Sequence, residues 1–320
     1  MGKRMRILVT GGAGFIGSHT VSALRNQHET ALLDDFNDFY DPAIKRRNAE
    51  SSGAVVFEGD LRSESDVERC FEAFKPEIVI HLAARAGVRP SLDEPQLYVD
   101  TNVTGTLHIL EAMRRHGANK LVFGSSSSVY GCNQKVPFSE DDPIVKTISP
   151  YAATKVAGEQ LCTVYSHLYD IACVSLRFFT VYGPGQRPDL AIHKFCRNIW
   201  EGKTIQRFGD GSTRRDYTYV DDIVQGIIRA VEYPVAGYDV FNLGESQTIE
   251  LRELIALLEE ALGKKAVMDV LPEQPGDVPV TYADISKARR LLNYDPATPI
   301  REGIQKFATW FLSQPHVKTA

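Results

Sequence analysis

Short apolar runs recur along the first half of the chain, each closed by glycines or polar residues and each followed by a stretch with helical spacing. Residues 5–10 read as a strand, and the glycines from Gly11 to Gly17 break it before helical spacing resumes over 18–25. Further strands are predicted at 30–33, 55–57, 78–81 and 120–123, with helices at 63–74 and 97–116 between them. The polar stretch 37–53 predicts no element, and 82–90 reads as a loop. Strands that are apolar throughout, alternating with helices, are the pattern of a parallel sheet covered on both faces. The fold class predicted is therefore α/β, a Rossmann-type doubly wound parallel sheet. Farther on, helices are predicted at 151–169, 191–201, 221–232, 249–262 and 300–312, and strands at 171–177 and 238–243. These less regular pieces suggest a smaller α/β substrate-binding lobe, mainly residues 178–320, interleaved with a dinucleotide-binding domain over 1–177.

Composition narrows the classes without choosing among them. The chain has 320 residues, 43% hydrophobic and 24% charged, enough for a real core and ordinary for a globular protein. A net charge of −5 and the lack of any long basic run argue against a nucleic-acid surface, and Lys45, Arg46 and Arg47 read as a short solvated triplet. No stretch approaches the ~20 apolar residues of a membrane span. The charged N-terminus runs into glycines instead of a cleavage site, against a signal peptide. Five scattered cysteines with no metal-ligand spacing suggest free thiols, a cytoplasmic protein and no metal.

A strand, a glycine turn and a helix bring backbone N–H groups and a positive helix end up to a pyrophosphate. Gly11, Gly14 and Gly17 have that spacing, although glycine turns also join strands to helices for structural reasons alone. Asp34 closes the next strand about 20 residues on, where a carboxylate takes the adenosine ribose hydroxyls. Its charge would repel a 2′-phosphate, which points to NAD over NADP. A second constellation joins the serines 125–128 with Tyr151 and Lys155, one helical turn apart on one face. An ammonium beside a phenol favours the phenolate, so Tyr151 could accept a proton from a substrate hydroxyl while Ser126 orients that hydroxyl. Taken alone, the Tyr-Lys pair could equally decorate an exposed helix face.

These residues resemble the extended short-chain dehydrogenase/reductase family. The likeness runs through Gly11–Gly17, Asp60-Leu61, His81-Leu82-Ala83-Ala84, Asn102, Val129-Tyr130-Gly131, Tyr151 and Lys155, and on through Leu176-Arg177-Phe178-Phe179, Arg215-Asp216-Tyr217, Asp221-Asp222 and Asn242-Leu243-Gly244. It implies NAD held by Gly11, Gly14, Phe15, Ile16, Gly17, Asp34, Asn37, Asp60, Leu61, Leu82, Ala83, Ala84, Asn102, Tyr151, Lys155 and Phe178. It also implies a nucleotide sugar in the second lobe and a homodimer built on a four-helix bundle. His81 reads as a packed histidine, not a catalyst.

Within the family, the dehydratases carry an Asp-Glu pair where this chain has Ser127 and Ser128, and the UDP-glucuronate decarboxylases keep the Glu. Hydroxyls cannot do the acid/base work of eliminating water, so 4-epimerisation through a transient 4-keto sugar is the expected reaction. The 81–91 loop and residues 274–279 are similar to UDP-glucuronate 4-epimerases, which implies UDP-glucuronate as substrate and Ser127, Ser128 and Thr180 as neutral donors to its carboxylate. Arg89 and Arg187 are further substrate candidates. Arg215 would meet the diphosphate or pair with Asp216. Asp277 would take the uridine ribose or only start a turn, and Phe208 would stack near uracil or sit in the core. Gln274 stands where UDP-galactose epimerases have an arginine. Epimerisation of UDP-glucose or a UDP-N-acetylhexosamine, decarboxylation of UDP-glucuronate, and non-catalytic nucleotide sensing remain the alternatives.

Overall fold

The computed structural model describes residues 3–272 and 279–318. Its centre is a seven-stranded sheet in which each neighbouring pair is parallel. In chain order the first half runs β1 (Arg6–Thr10), α1 (Phe15–Leu24), β2 (Glu29–Asp34), α2 (Pro42–Ser52), β3 (Val55–Glu58), α3 (Glu64–Phe74) and β4 (Ile78–His81). Then come α4 (Val88–Asp93), α5 (Pro95–Val99), a π-turn over Asp100–Thr104, α6 (Gly105–His116), β5 (Lys120–Ser126), α7 (Pro150–Tyr169) and β6 (Ala172–Phe178). The second half holds β7 (Thr180–Tyr182), α8 (Ala191–Trp200), β8 (Thr204–Phe208), β9 (Arg214–Arg215), β10 (Tyr217–Tyr219), α9 (Val220–Glu232), β11 (Tyr238–Leu243) and β12 (Ile249–Glu250). It ends with α10 (Leu251–Leu262), β13 (Val267–Leu271), α11 (Ser286–Leu292), α12 (Ile300–Ser313) and α13 (Pro315–Lys318).

The sheet order is β11-β6-β5-β4-β1-β2-β3. The chain therefore winds one way from β1 and the other way from β4, and a crevice opens beyond the carboxyl ends of these two strands, where such sheets bind ligands. Both faces are covered. Along β1, Leu8 joins Val79, Leu121, Phe71 and Met113 on one face, while Ile7 and Val9 join Leu32, Val122, Val21 and Ile223 on the other. A strand buried on both sides has no polar face, which is why the runs read as continuously apolar. β11 lies in the second half of the sequence yet pairs with β6.

Several expectations need correction. The polar stretch 37–53 contains α2: Asp41 accepts the Ala43 N–H at its start, Pro42 opens it, and Gly53 at φ 68° closes it. Caps and tertiary contacts make this helix, not an apolar stripe. The single helix predicted at 97–116 is broken, because α5 passes through the π-turn before α6. There the Asn102 amide bonds both the N–H and the carbonyl of Arg85, at 2.8 and 3.0 Å. The loop predicted at 82–90 gives way to α4 at Val88. β5 runs three residues beyond its predicted end and so carries Ser125 and Ser126 to the sheet rim. β8 and β13 pair in parallel and were not predicted; β13 is exposed along most of its length and shows no alternation.

Candidate active site

The site begins where β1 gives way to glycine. Gly11 has φ +66°, and a Cβ there would lie 2.8 Å from the Ala83 backbone. A Cβ on Gly17 would come within 2.1 Å of the Gly11 carbonyl oxygen, so the first turn of α1 sits directly on the loop. α1 has no acidic residue in its first turn, leaving its N–H groups and dipole open to an anion. At the end of β2, Asp34 accepts the N–H groups of Ala13 and Phe36 at 3.1 and 3.0 Å. Burial raises its pKa; the Phe36 hydrogen bond and the Lys45 charge oppose that rise. The turn, the helix end and this carboxylate fit the diphosphate and adenosine ribose of a dinucleotide.

A cavity of about 530 Å³ opens over these groups. Its wall holds Gly11, Gly14, Phe15, Ile16, Gly17, Asp34, Asn37, Asp60, Leu61, Leu82, Ala83, Ala84 and Phe178 from the predicted cofactor set. Ser126, Tyr151, Lys155, Thr180, Arg187 and Arg215 line it too. Sequence reasoning missed Phe39, Tyr40, Lys45, Arg85, Gln186 and Tyr217, which share the wall. A second hollow adjoins the first through Arg215 and Tyr217 and contains Arg89 and Phe208, the Arg89 guanidinium lying 5.5 Å over the Phe208 ring. Asn102 lines neither hollow and holds the Arg85 backbone instead. Ser127 and Ser128 line neither as well, and the Ser128 N–H donates to Ser126 Oγ. Gln274 and Asp277 lie outside the described residues.

The reactive groups stand on α7 and β5. Tyr151, Lys155 and Glu159 follow one another at one-turn spacing. Both Tyr151 and Ser126 line the cavity; burial raises the Tyr151 pKa, while the Ser126 side chain and the Arg187 charge pull it down. Lys155 Nζ donates to the Gly124 carbonyl at 2.7 Å and lies 6.0 Å from the Tyr151 ring centre. Burial lowers the Lys155 pKa to about 8, with the Glu159 charge opposing. Glu159 is locked by Arg177 at 2.8 Å and by the Ser125 hydroxyl at 2.6 Å, which ties α7 to β5 and β6 beneath the site. In this arrangement a phenol, a hydroxyl and an ammonium line the same cavity wall at the rim.

The polar neighbours resolve some open readings. Arg215 donates to the carbonyls of Arg214 and Pro279, while Asp216 accepts N–H groups from Glu245, Ser246 and Ala283, so the two do not pair with each other. Arg187 pairs with Asp189 at 2.9 Å. His81 is held between the Thr10 and Thr106 hydroxyls, and burial lowers its pKa to about 3, so it is neutral and packed as the sequence suggests. Lys45 departs from expectation: it is buried, whereas Arg46 and Arg47 are exposed. Its signal is invisible in composition, because only the placement of α2 turns it inward. Among the described residues no His, Cys, Asp and Glu cluster could hold a metal.

The family described as NAD dependent epimerase/dehydratase matches residues 7–244. A UDP-glucuronate 4-epimerase of Thermodesulfobacterium geofontis is 44% identical over 309 residues, covering 95% of this chain and 95% of that protein. Among solved structures, UDP-glucuronic acid 4-epimerase from Bacillus cereus, in complex with UDP-glucuronic acid and NAD, is 37% identical. It superposes with a TM-score of 0.90 over 96% of this chain and 99% of its own. Thermus thermophilus UDP-glucose 4-epimerase, in complex with NAD, is 34% identical, with a TM-score of 0.88 over 97% and 99%.

Proposed function

The chain belongs to the NAD dependent epimerase/dehydratase family, and from that premise we propose that it is an NAD-dependent UDP-sugar 4-epimerase that converts UDP-glucuronate to UDP-galacturonate. The observation that carries the reaction is the convergence of Tyr151, Ser126 and Lys155 on the cavity that the glycine turn opens. The relatives named above support the sugar.

When bound, NAD supplies the acceptor and donor for the carbon-4 hydride, and its positive ring adds to the pull on the phenol proton. In the free chain burial keeps Tyr151 protonated, so the base is armed by the charges brought close to it. Tyr151 would take the O4 proton as carbon 4 is oxidised, leaving a 4-keto sugar, and would return it to O4 once the ring has turned to present its other face to the same side of the site. Ser126 orients the hydroxyl, and Lys155, held by the Gly124 carbonyl, supplies positive charge one turn away. Arg215, together with Arg89 and Phe208 in the adjoining hollow, is suited to the diphosphate and the uridine. Thr180 lines the cavity, and in this reading its hydroxyl is the neutral donor to the sugar carboxylate.

Product analysis by NMR after separate incubation with UDP-glucuronate, UDP-glucose and UDP-N-acetylglucosamine tests this reading. UDP-galacturonate with little or no pentose is the expected outcome. Faster turnover of UDP-glucose, or a pentose as the main product, refutes the choice of sugar.

The working unit in this proposal is a homodimer in the cytoplasm. α6 and α7 pack side by side and leave Leu107, Val164 and Leu168 exposed, an apolar surface suited to a four-helix contact between two copies. Light scattering after gel filtration should give twice the chain mass of 35.6 kDa. The cysteines among the described residues are free, in keeping with a reducing compartment.

A further inference from the structure

Lys45 is a charge where the fold had cheaper options. It is 4% exposed, although its neighbours Arg46 and Arg47 on α2 face water. A buried ammonium is costly unless its hydrogen bonds are made. Here Nζ donates to the Asn37 carbonyl at 3.0 Å and to Asn37 Oδ1 at 2.9 Å, and it lies 4.7 Å from the Tyr40 ring centre. The acids facing it are Asp34 and Asp35; the cations are Arg85 and Arg187.

The segment it grips is the turn between β2 and α2. Asp35, Asn37, Phe39 and Tyr40 from this turn all line the main cavity, as does Lys45 itself. The turn starts with Phe36 at φ 49°, a left-handed conformation that side chains other than glycine seldom adopt, so its shape depends on outside holds. One is Asp34, which accepts the Phe36 N–H. Asn37 Oδ1 in turn accepts the Phe39 N–H at 3.1 Å, passing the grip of Lys45 along the chain. At the tip, the Phe39 ring has Arg85 at 5.9 Å and Arg187, from the second half of the chain, at 5.2 Å.

We propose that Lys45 is the positioning residue for the cofactor's adenosine end: it clasps Asn37 and so holds the 35–40 turn closed over the dinucleotide cavity. The inference rests on the NAD reading above. Without the clasp, the Asn37 carbonyl and Oδ1 lose their charged donor, the turn loosens, and a bound dinucleotide leaves faster. The second hollow, which is built from other elements, is unaffected.

The test is equilibrium titration of cofactor-stripped wild type, Lys45→Met, Lys45→Arg and Asn37→Ala with NAD, and of the same proteins with UDP, beside their melting temperatures. Lys45→Met should raise the Kd for NAD at least about tenfold, the scale of a lost charge-assisted hydrogen bond. Its Kd for UDP and its melting temperature should stay near wild type. Lys45→Arg should recover part of the loss, since it keeps a charged donor. Asn37→Ala should weaken NAD similarly, and the double variant should add little, as for two halves of one contact. Lys45→Met that binds NAD as wild type does overturns the clasp alone. A parallel loss of NAD, UDP and thermal stability also overturns it, by showing a role in the fold only. A wild-type chain that takes up no NAD overturns the function and the clasp together.

Discussion

Tyr151 and Lys155 stand four residues apart in a sequence that cannot say whether they face water or substrate, and burial decides the matter. A half-buried phenol enclosed by the cavity wall resists ionisation, so its usefulness depends on the neighbouring Ser126 side chain and on nearby positive charge. Tyr151→Phe removes the proton acceptor while leaving the ring in place. Turnover should fall by roughly 10²–10⁴-fold, the usual worth of a positioned acid/base, with UDP-sugar affinity little changed. Steady-state rates beside a binding titration check this, and near-normal turnover would remove Tyr151 from the role. Thr180→Ala makes a finer point at the same scale: it should reduce kcat/KM for UDP-glucuronate more than for UDP-glucose, because only the first sugar carries a carboxylate for the hydroxyl to meet. Equal losses on both would place Thr180 elsewhere in the chemistry.

Among the elements, β1, its glycine turn and α1 form the unit read most directly from sequence. The apolar run, the glycine spacing and the helical period are local signals, and each glycine answers a local collision. Gly17→Ala should therefore be severe: its new methyl would meet the Gly11 carbonyl oxygen at 2.1 Å, and helix and turn must part to admit it. Loss of NAD binding by at least about tenfold, with a lower melting temperature, is the expected result of such overpacking. A Gly17→Ala protein with unchanged affinity would mean that this close seat is not what holds the diphosphate. α2 and the π-turn lacked such signals. α2 has caps but no apolar stripe, and the π-turn depends on the contact between Asn102 and Arg85, which are 17 residues apart.

Over the whole molecule, the second half carries a pH dependence that no local pattern announces. Asp216, Asp222 and Glu245 come together under β10, α9 and β11, all buried. Burial, with Asp222 and Asp216 nearby, pushes the Glu245 pKa up to about 8, while the Arg289 charge opposes the shift; burial alone lifts Asp216 to about 6. A carboxyl whose folded pKa lies above its unfolded value keeps its proton in the native chain after the unfolded chain has lost it. Stability is therefore greatest below the ordinary carboxyl pKa and declines as pH rises towards 6 for Asp216 and towards 8 for Glu245. Glu245→Gln removes the larger decline. Its melting temperature should exceed wild type by several degrees at pH 8 and by little at pH 5. Calorimetric scans that show the same difference at both values would refute a neutral Glu245.

The strands of the main sheet, the turn at Gly11–Gly17, the carboxylate that ends β2 at Asp34 and the one-turn spacing of Tyr151 and Lys155 were legible in the amino-acid order. Each is a short-range pattern: a period, a spacing, or a residue type at the end of an element. The inward turn of Lys45, the Asn102 grip on Arg85, the placement of Ser127 and Ser128 off the cavity wall, and the joining of β11 to a sheet begun some 230 residues earlier belong to the tertiary structure alone. They depend on which surfaces meet when helices close over the sheet, and that is set by packing between segments far apart in the chain, where the sequence carries no local period to read.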